Sequence, residues 1–540
     1  MLHKASLIIY IFLIFIVALI SISLPYIIGR FMDLLVYESN IYESNRNIMY
    51  FPVIIGILGL VRIGISYITT MLYLNMRLNM GHRLNRKVIH HIHSLSLTYI
   101  NHKDSVYLNQ RINNDSNSLI TFCISIMQSI ITNLLMLVVP FVVLLNINML
   151  VSTFMLGFIV LYIIIYLAFK KPLYNAGFNG SEAQAKFSSS LLEQLKYIKH
   201  IKINSIQNLM NARLADGFSN LKDAAIHNQK INYFYSSLDN FISMIAQVVL
   251  FVIGGMQVLS GEFTIGMFTI FTIYFNMILS ASRYFFDLGA SYQQTLVSYD
   301  RIIDILNQKP ESCGTKSISN IREIKLQNLT FSYSLSNNNV FHNLNTTFTK
   351  GKIYVVIGTN GTGKSTLISL IIGLYIDEYM GKITYNGADI RDLDMATIRR
   401  KHISFAEQEA LLLEGSIHYN VFLHDTVAAY NSINMKKLTD HINALDMQDF
   451  ISKYGFDYNI NEKNTNISGG EKQKISILKV LQKNSSVMIF DEPTSALDTQ
   501  TTKKFIEHLQ QIKKDKIIII ITHDKFVKEQ CDDIITLTTE

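Results

Sequence analysis

Cysteine is nearly absent. Cys123, Cys313 and Cys531 are scattered through 540 residues, odd in number and without metal-ligand spacing, so they imply neither a disulfide framework nor a metal site. Charge is also scarce, at 16%, and the scarcity is concentrated. Residues 116–169 hold no Asp, Glu, Lys or Arg over 54 positions, and residues 240–282 hold only Glu262. A water-soluble fold has no reason to spare such runs any charge, whereas bilayer crossings of about 20 residues each do. The first half therefore lies in a membrane, and ordinary globular composition returns from about Ile321. The net charge of +7 would suit a nucleic-acid partner, but the excess lies largely beside the apolar runs, which is a signature of membrane topology. No nucleic acid is expected.

Six spans are expected, near 6–28, 49–74, 120–145, 149–169, 238–259 and 264–286. Lys4 precedes the apolar run Leu7–Leu24, which is longer than the core of a cleaved signal peptide and reads as a retained first span. Between spans two and three stand Arg77, Arg83, Arg86, Lys87, Lys103 and Arg111 against Asp104 and Asp115; between spans four and five, nine basic residues face four acidic ones. The alternate connections are short and poor in positive charge, so the long basic ones, and both termini, are expected in the cytoplasm. Those long connections carry apolar residues at helical spacing, as in Leu191, Leu192, Leu195, Ile198 and Ile201. The spanning helices are therefore expected to run on past the membrane, and their bends to meet the soluble half.

In that half, Gly358 to Thr366 reads GTNGTGKST. The stretch fits G-x-x-x-x-G-K-[ST] and lies between a strand-like run, Ile353–Ile357, and a helix-like run, Leu367–Leu374. Amides along Gly358, Thr359, Asn360, Gly361, Thr362, Gly363 and Thr366 can close around phosphate oxygens, Lys364 would neutralise the terminal phosphates, and the Ser365 hydroxyl would bind Mg2+. Downstream, Val487–Phe490 ends in Asp491 and Glu492. A buried strand delivering two carboxylates at its C-terminal end suits a metal-shell ligand, Asp491, and a general base for water, Glu492. A solvated acidic pair would not explain the apolar residues before it.

Six spans with two long inner connections, followed by a phosphate-loop domain, resemble the half-transporter form of the ATP-binding-cassette exporters. Local echoes occur at Leu24 to Asp33, Arg111 to Asp115, Glu193 to Lys202, Gly261 to Gly266, and Asp300-Arg301. The resemblance implies an all-α six-helix transmembrane domain of the type I exporter fold, also called type IV, over residues 1–301. A linker at 302–320 and an α/β P-loop NTPase domain with its signature subdomain at 321–540 would follow. It implies a second anion seat at Ser468, Gly469 and Gly470 within ISGGE, completed by a second subunit, hence two nucleotides sandwiched in a head-to-tail dimer. Gln408 matches the glutamine that ligates Mg2+, His523 the switch histidine, and Ser495–Asp498 the loop linking the two sites; Glu462 matches an exporter-specific segment. Tyr333 stands where the family stacks an aromatic on adenine, although an aromatic at a strand end also serves as core.

Two departures stand out: ISGGE replaces LSGGQ, and Lys474 replaces the usual Arg. Glu471 is expected to lie beyond the anion seat, leaving activity intact with weaker nucleotide-driven closure. Glu492, Ser468, Gly470 and His523 are all retained, so a homodimer suffices, and a heterodimer with another half-transporter stays open. No protease domain precedes the first span, so self-trimming of a peptide cargo is not expected.

Within the membrane half, Arg62 lies in mid-span, either facing the anionic group of a cargo or pairing with an acidic group on another helix. Arg283 and Asp287, a helical turn apart, could pair. Phe268, Phe271 and Phe275 form a stripe suited to helix packing or to cargo. The expected activity is ATP-hydrolysis-driven export of an amphipathic molecule, a secreted peptide of the bacteriocin type first and a lipid or drug second, across a bacterial cytoplasmic membrane. Import through the same fold and an ATP-gated channel or regulator are the alternatives. The six spans argue against a soluble phosphate-loop machine acting on DNA or ribosomes.

Overall fold

A computed structural model describes residues 2–37, 41–101, 103, 108–109, 111–333, 338–423, 432–461, 466–495 and 497–538. The chain forms two compact units: Met1–His90 with Ser105–Asn307, and His91–Asp104 with Gln308–Glu540.

The first unit is helical: α1 (Leu2–Tyr37), α2 (Ile41–Ile92), then, after α3 (Leu97–Asn101) of the other unit, α4 (Ser116–Ile147), α5 (Met149–Lys196), α6 (Ile198–Ile203), α7 (Gln207–Leu259) and α8 (Ile265–Asn307). Six of these are long and apolar enough to cross a membrane, over Ala5–Val36, Met49–Ile92, Arg111–Ile147, Leu156–Lys196, Gln207–Leu259 and Ile265–Phe285. In lipid the backbone must satisfy its own hydrogen bonds, which only continuous helices or closed barrels can do. Helix α7, at 53 residues, is about 80 Å long at 1.5 Å per residue, far beyond a hydrocarbon core of about 30 Å. The helices thus outrun the bilayer, as the helical spacing of the inner connections predicted. Helix α8 continues to Asn307, so the first residues of the expected linker are helical.

Polar groups tie these helices where apolar packing alone is unspecific. Asp33 accepts hydrogen bonds from the Thr264 hydroxyl (2.9 Å) and the Gly266 amide (2.7 Å). The backbones of α1 and α8 come so close there that a Cβ on Gly266 would lie 2.0 Å from the Gly29 carbonyl oxygen. Buried Asp115 receives Arg111 at 2.7 Å and the Ser298 hydroxyl at 2.9 Å, locking the turn before α4 to the far end of α8. Of the phenylalanine stripe, Phe271 and Phe275 are fully buried and Phe268 packs on Phe251 and over Gly254, so the stripe holds helices together. Arg283 ties α8 to α7. It reaches across to α7, pairing with Asp239 at 3.0 Å and donating to the Ser243 hydroxyl at 2.6 Å, while the Asp287 side chain lies outside the described residues.

The second unit continues with β1 (Glu323–Phe331), β2 (Phe341–Thr349), β3 (Lys352–Ile357), α9 (Lys364–Ile372), β4 (Tyr379–Tyr385), β5 (Ala388–Asp389), α10 (Met395–His402), β6 (Ile403–Ala406), β7 (Gly415–Ser416), α11 (Ile417–Val421), α12 (Ser432–Ala444), α13 (Gln448–Tyr454), β8 (Asn459–Ile460), α14 (Gly469–Lys483), β9 (Val487–Asp491), α15 (Thr499–Ile512), β10 (Ile517–Ile521), α16 (Lys525–Glu529) and β11 (Asp533–Thr536). An antiparallel sheet runs β2-β1-β4-β5, and a parallel sheet runs β11-β3-β10-β9-β6. The five isoleucines of β10 are all buried, as a central parallel strand covered on both faces requires. Strand order decides function here: the loops after β3, β10, β9 and β6 stand side by side along one carboxyl edge.

Between α12 and α15 two half-buried imidazoles meet, His441 Nδ1 3.0 Å from His508 Nε2. That bond needs one donor and one acceptor. Burial, helped by the neighbouring His508, pushes His441 down to about 4, and burial lowers His508 as well. Free imidazole titrates near 6.5, so between about pH 6.5 and 4 the unfolded chain takes up protons that the folded pair refuses. The pair's stabilisation is complete above that window and is lost as pH falls through it. Thermal midpoints of the detergent-solubilised chain should drop more steeply between about pH 7 and pH 5 than those of His441→Gln. Parallel curves would show that the pair does not set acid sensitivity.

Candidate nucleotide site

The loop after β3 turns through Gly361 and Gly363 at φ of +91° and +87°, a backbone that side-chain-bearing residues avoid. At Gly363 a Cβ would also meet Val340 at 2.5 Å and Phe341 at 2.8 Å, so glycine is required twice over. The Thr362 hydroxyl ties the loop by donating to the Thr359 carbonyl at 2.9 Å. Lys364 Nζ donates to the carbonyls of Gly358 (2.9 Å) and Thr359 (3.1 Å), which holds the ammonium over the concave side of the loop. Asn360, Gly361 and Ser365 are exposed, open to a ligand, while Thr366 is buried beneath.

From β9, Asp491 accepts a hydrogen bond from the Ser365 hydroxyl at 3.2 Å. Burial holds its carboxyl above the ordinary range, a tendency that Glu492 reinforces and that the Ser365 bond and Lys364 oppose. A hydroxyl and a carboxylate converging beside a phosphate-binding loop are oxygen donors suited to Mg2+, so the residues fit that ion. Glu492 occupies left-handed backbone at φ +47°, a conformation that costs a non-glycine residue energy. Its amide is pinned to the Ile521 carbonyl of β10 at 2.9 Å. This turn presents the carboxylate to Gln408, whose Nε2 donates to Oε2 at 3.0 Å, and to His523, 3.9 Å from Oε1. Five groups from four separate loops thus converge within one chain.

The second anion seat opens α14. Ser468 caps the helix, and Gly469 and Gly470 form its first turn. Glu471 does not lie beyond the seat, contrary to the sequence expectation. Its Oε2 turns back to accept the Ser468 amide (2.8 Å) and hydroxyl (2.7 Å). Asp498, in the loop matched to site-to-site linkage, caps α15 through the Thr501 amide at 2.8 Å, while Glu462 lies outside the described residues.

Tyr333 lies two residues past β1, 40% exposed, its hydroxyl 2.8 Å from Thr366 Oγ1 and its ring edge-on to Phe331 and Tyr375. Tyr375 also bonds to Asn101, and the Thr98 hydroxyl donates to the Glu378 carboxylate. The first inner connection therefore packs, through α3, on residues next to Tyr333. Sequence reading missed Tyr375, Thr98 and Glu378. Nothing in a single chain signals a contact between positions 280 residues apart.

Comparison with known proteins agrees with this architecture. The family model described as "ABC transporter transmembrane region" matches residues 7–282, and the model described as "ABC transporter" matches 341–495. The chain belongs to the ABC transporter family, and it is a multi-pass integral membrane protein with a nucleotide-binding domain. It is 28% identical to the lactococcin-G-processing and transport ATP-binding protein LagD of Lactococcus lactis subsp. lactis, over 71% of this chain and 54% of that one. It is 24% identical to the putative multidrug export ATP-binding/permease protein YgaD of Bacillus subtilis, over 84% of this chain and 78% of that one. The match thus spans only about half the length of LagD. In fold it is similar to a bacterial Atm1-family ABC exporter solved with ATP bound, with a TM-score of 0.88 at 18% identity over 99% of this chain and 94% of that one.

Proposed function

We propose that the chain is one half of an ATP-driven exporter, that two copies clamp two ATP·Mg2+ between them, and that hydrolysis resets a cycle of alternating access. The observation that carries this reading is Glu492, set 3.0 Å from Gln408 and one residue beyond the Asp491–Ser365 pair. Such a carboxylate is placed to take a proton from attacking water; Lys364 and the loop amides hold the terminal phosphates, and Ser365, Asp491 and Gln408 would hold Mg2+, which when bound neutralises phosphate charge. His523 contacts the terminal phosphate from the adjacent strand end, and Tyr333 offers its ring to adenine. Coupling requires that ATP bind the closed state better than the open one. The domain limits we assign are 1–301 for the membrane domain and 321–540 for the cassette, with both termini cytoplasmic.

The cargo we propose is an amphipathic peptide, in keeping with the similarity to LagD. Arg62 is exposed on α2 and makes no ion pair among the described residues. A cation at that depth needs a counter-charge, and an anionic group on the cargo supplies one. A polar cavity of about 280 Å³ between α7 and α8, lined by Ser243, Gln247, Asn276 and Arg283, offers further hydrogen bonds to a peptide backbone. In proteoliposomes, candidate peptides should stimulate ATPase and accumulate on the side away from the nucleotide-binding domains. Arg62→Ala should weaken that stimulation and spare basal hydrolysis. Stimulation by lipids or drugs alone would reassign the cargo, and unaltered peptide affinity in Arg62→Ala would remove Arg62 from the cargo-binding role.

A further inference from the structure

We propose that Glu471 is an electrostatic brake on closure: its carboxylate occupies the Ser468 hydroxyl and amide of the second anion seat, and Lys453 sets the strength of the brake by partly neutralising it. This rests on the sandwiched-dimer reading and specifies how that site is regulated. Three contacts carry it. Glu471 Oε2 accepts the Ser468 amide at 2.8 Å and the Ser468 hydroxyl at 2.7 Å, and Oε1 accepts Lys453 Nζ of α13 at 2.9 Å.

The Ser468 hydroxyl has one proton to donate, and it is given to a carboxylate of the same chain. A terminal phosphate arriving from the opposite subunit must take that donor from one anion for another, with the displaced carboxylate left close by. Like charges at such separations oppose each other by several-fold to tens-fold in an equilibrium constant. Lys453 lies 62% exposed, so its charge is screened and offsets Glu471 only in part.

A capping role alone would not require the charge. Glutamine at the third helical position closes the same reciprocal cap as glutamate. Glu471→Gln therefore keeps α14 intact and removes only the negative charge, which separates the electrostatic role from a structural one.

The test uses the full chain in lipid nanodiscs with Glu492→Gln as background, so that closed dimers accumulate. The reading is the ATP concentration that half-closes the dimer, from spin-label distances between the two nucleotide-binding domains. Adding Glu471→Gln should lower that concentration about tenfold. Lys453→Gln should raise it, and should have no effect once Glu471→Gln is present. An unchanged half-closing concentration in Glu471→Gln, or a Lys453→Gln shift of equal size in both backgrounds, would overturn the brake. Failure of the background chain itself to close at any ATP concentration would instead overturn the dimer reading, and the brake with it.

Discussion

Glu492→Gln should still bind ATP while hydrolysis falls by about 10²- to 10⁴-fold, the usual contribution of a positioned general base. The substitution is isosteric, and the new amide oxygen can accept the Gln408 Nε2–H that now reaches Glu492 Oε2 at 3.0 Å. The left-handed turn is held by the backbone bond to Ile521, not by the side chain, so the site keeps its shape. What disappears is the capacity to accept a proton from water. Phosphate release measured beside nucleotide affinity should therefore show turnover lost with affinity kept. Hydrolysis within reach of the unsubstituted chain would remove Glu492 from the role of base.

Lys364→Ala should act at the other end of the reaction coordinate, weakening ATP binding itself. The ammonium is held by the Gly358 and Thr359 carbonyls at 2.9 and 3.1 Å, in the curve of the loop where phosphates would sit. Its removal costs a charge-assisted contact worth ~1.5–3 kcal/mol, or about 10- to 150-fold in affinity. It also leaves those two carbonyls without their donor. Titration with a fluorescent ATP analogue should resolve the loss, and the contrast with Glu492→Gln separates binding from chemistry. Undiminished affinity in Lys364→Ala would mean that the loop amides alone carry the phosphates.

These residues were legible in the sequence because their chemistry is local. A glycine-rich loop, the helix after it and a hydrophobic strand ending in Asp491 each announce themselves within ten residues, and strand order then brings them together. The six spans were legible for a similar reason, since lipid tolerates little charge and the uncharged runs are long. What could not be read is contact between distant elements. Arg283 reaches Asp239 on α7, 44 positions away in the chain, because helix rotation in the bundle is set by packing that no single helix encodes. Thr98 meets Glu378 for the same kind of reason. Glu471 was misjudged at shorter range. Its spacing from Ser468 is that of a reciprocal helix cap, a pattern visible in Ser468-Gly469-Gly470-Glu471, which turns the carboxylate back onto the seat.

The central claim is that each ATP is held by Gly358–Thr366 of one copy and Ser468–Gly470 of the other. Co-expression of Lys364→Ala and Ser468→Ala chains under two affinity tags, followed by isolation of the mixed dimer, tests it most directly. Such a dimer carries one site with both defects and one site with none, so it should hydrolyse ATP well above either variant alone. If the mixed dimer is as inactive as its parents, each site is built within a single chain, and the account is wrong.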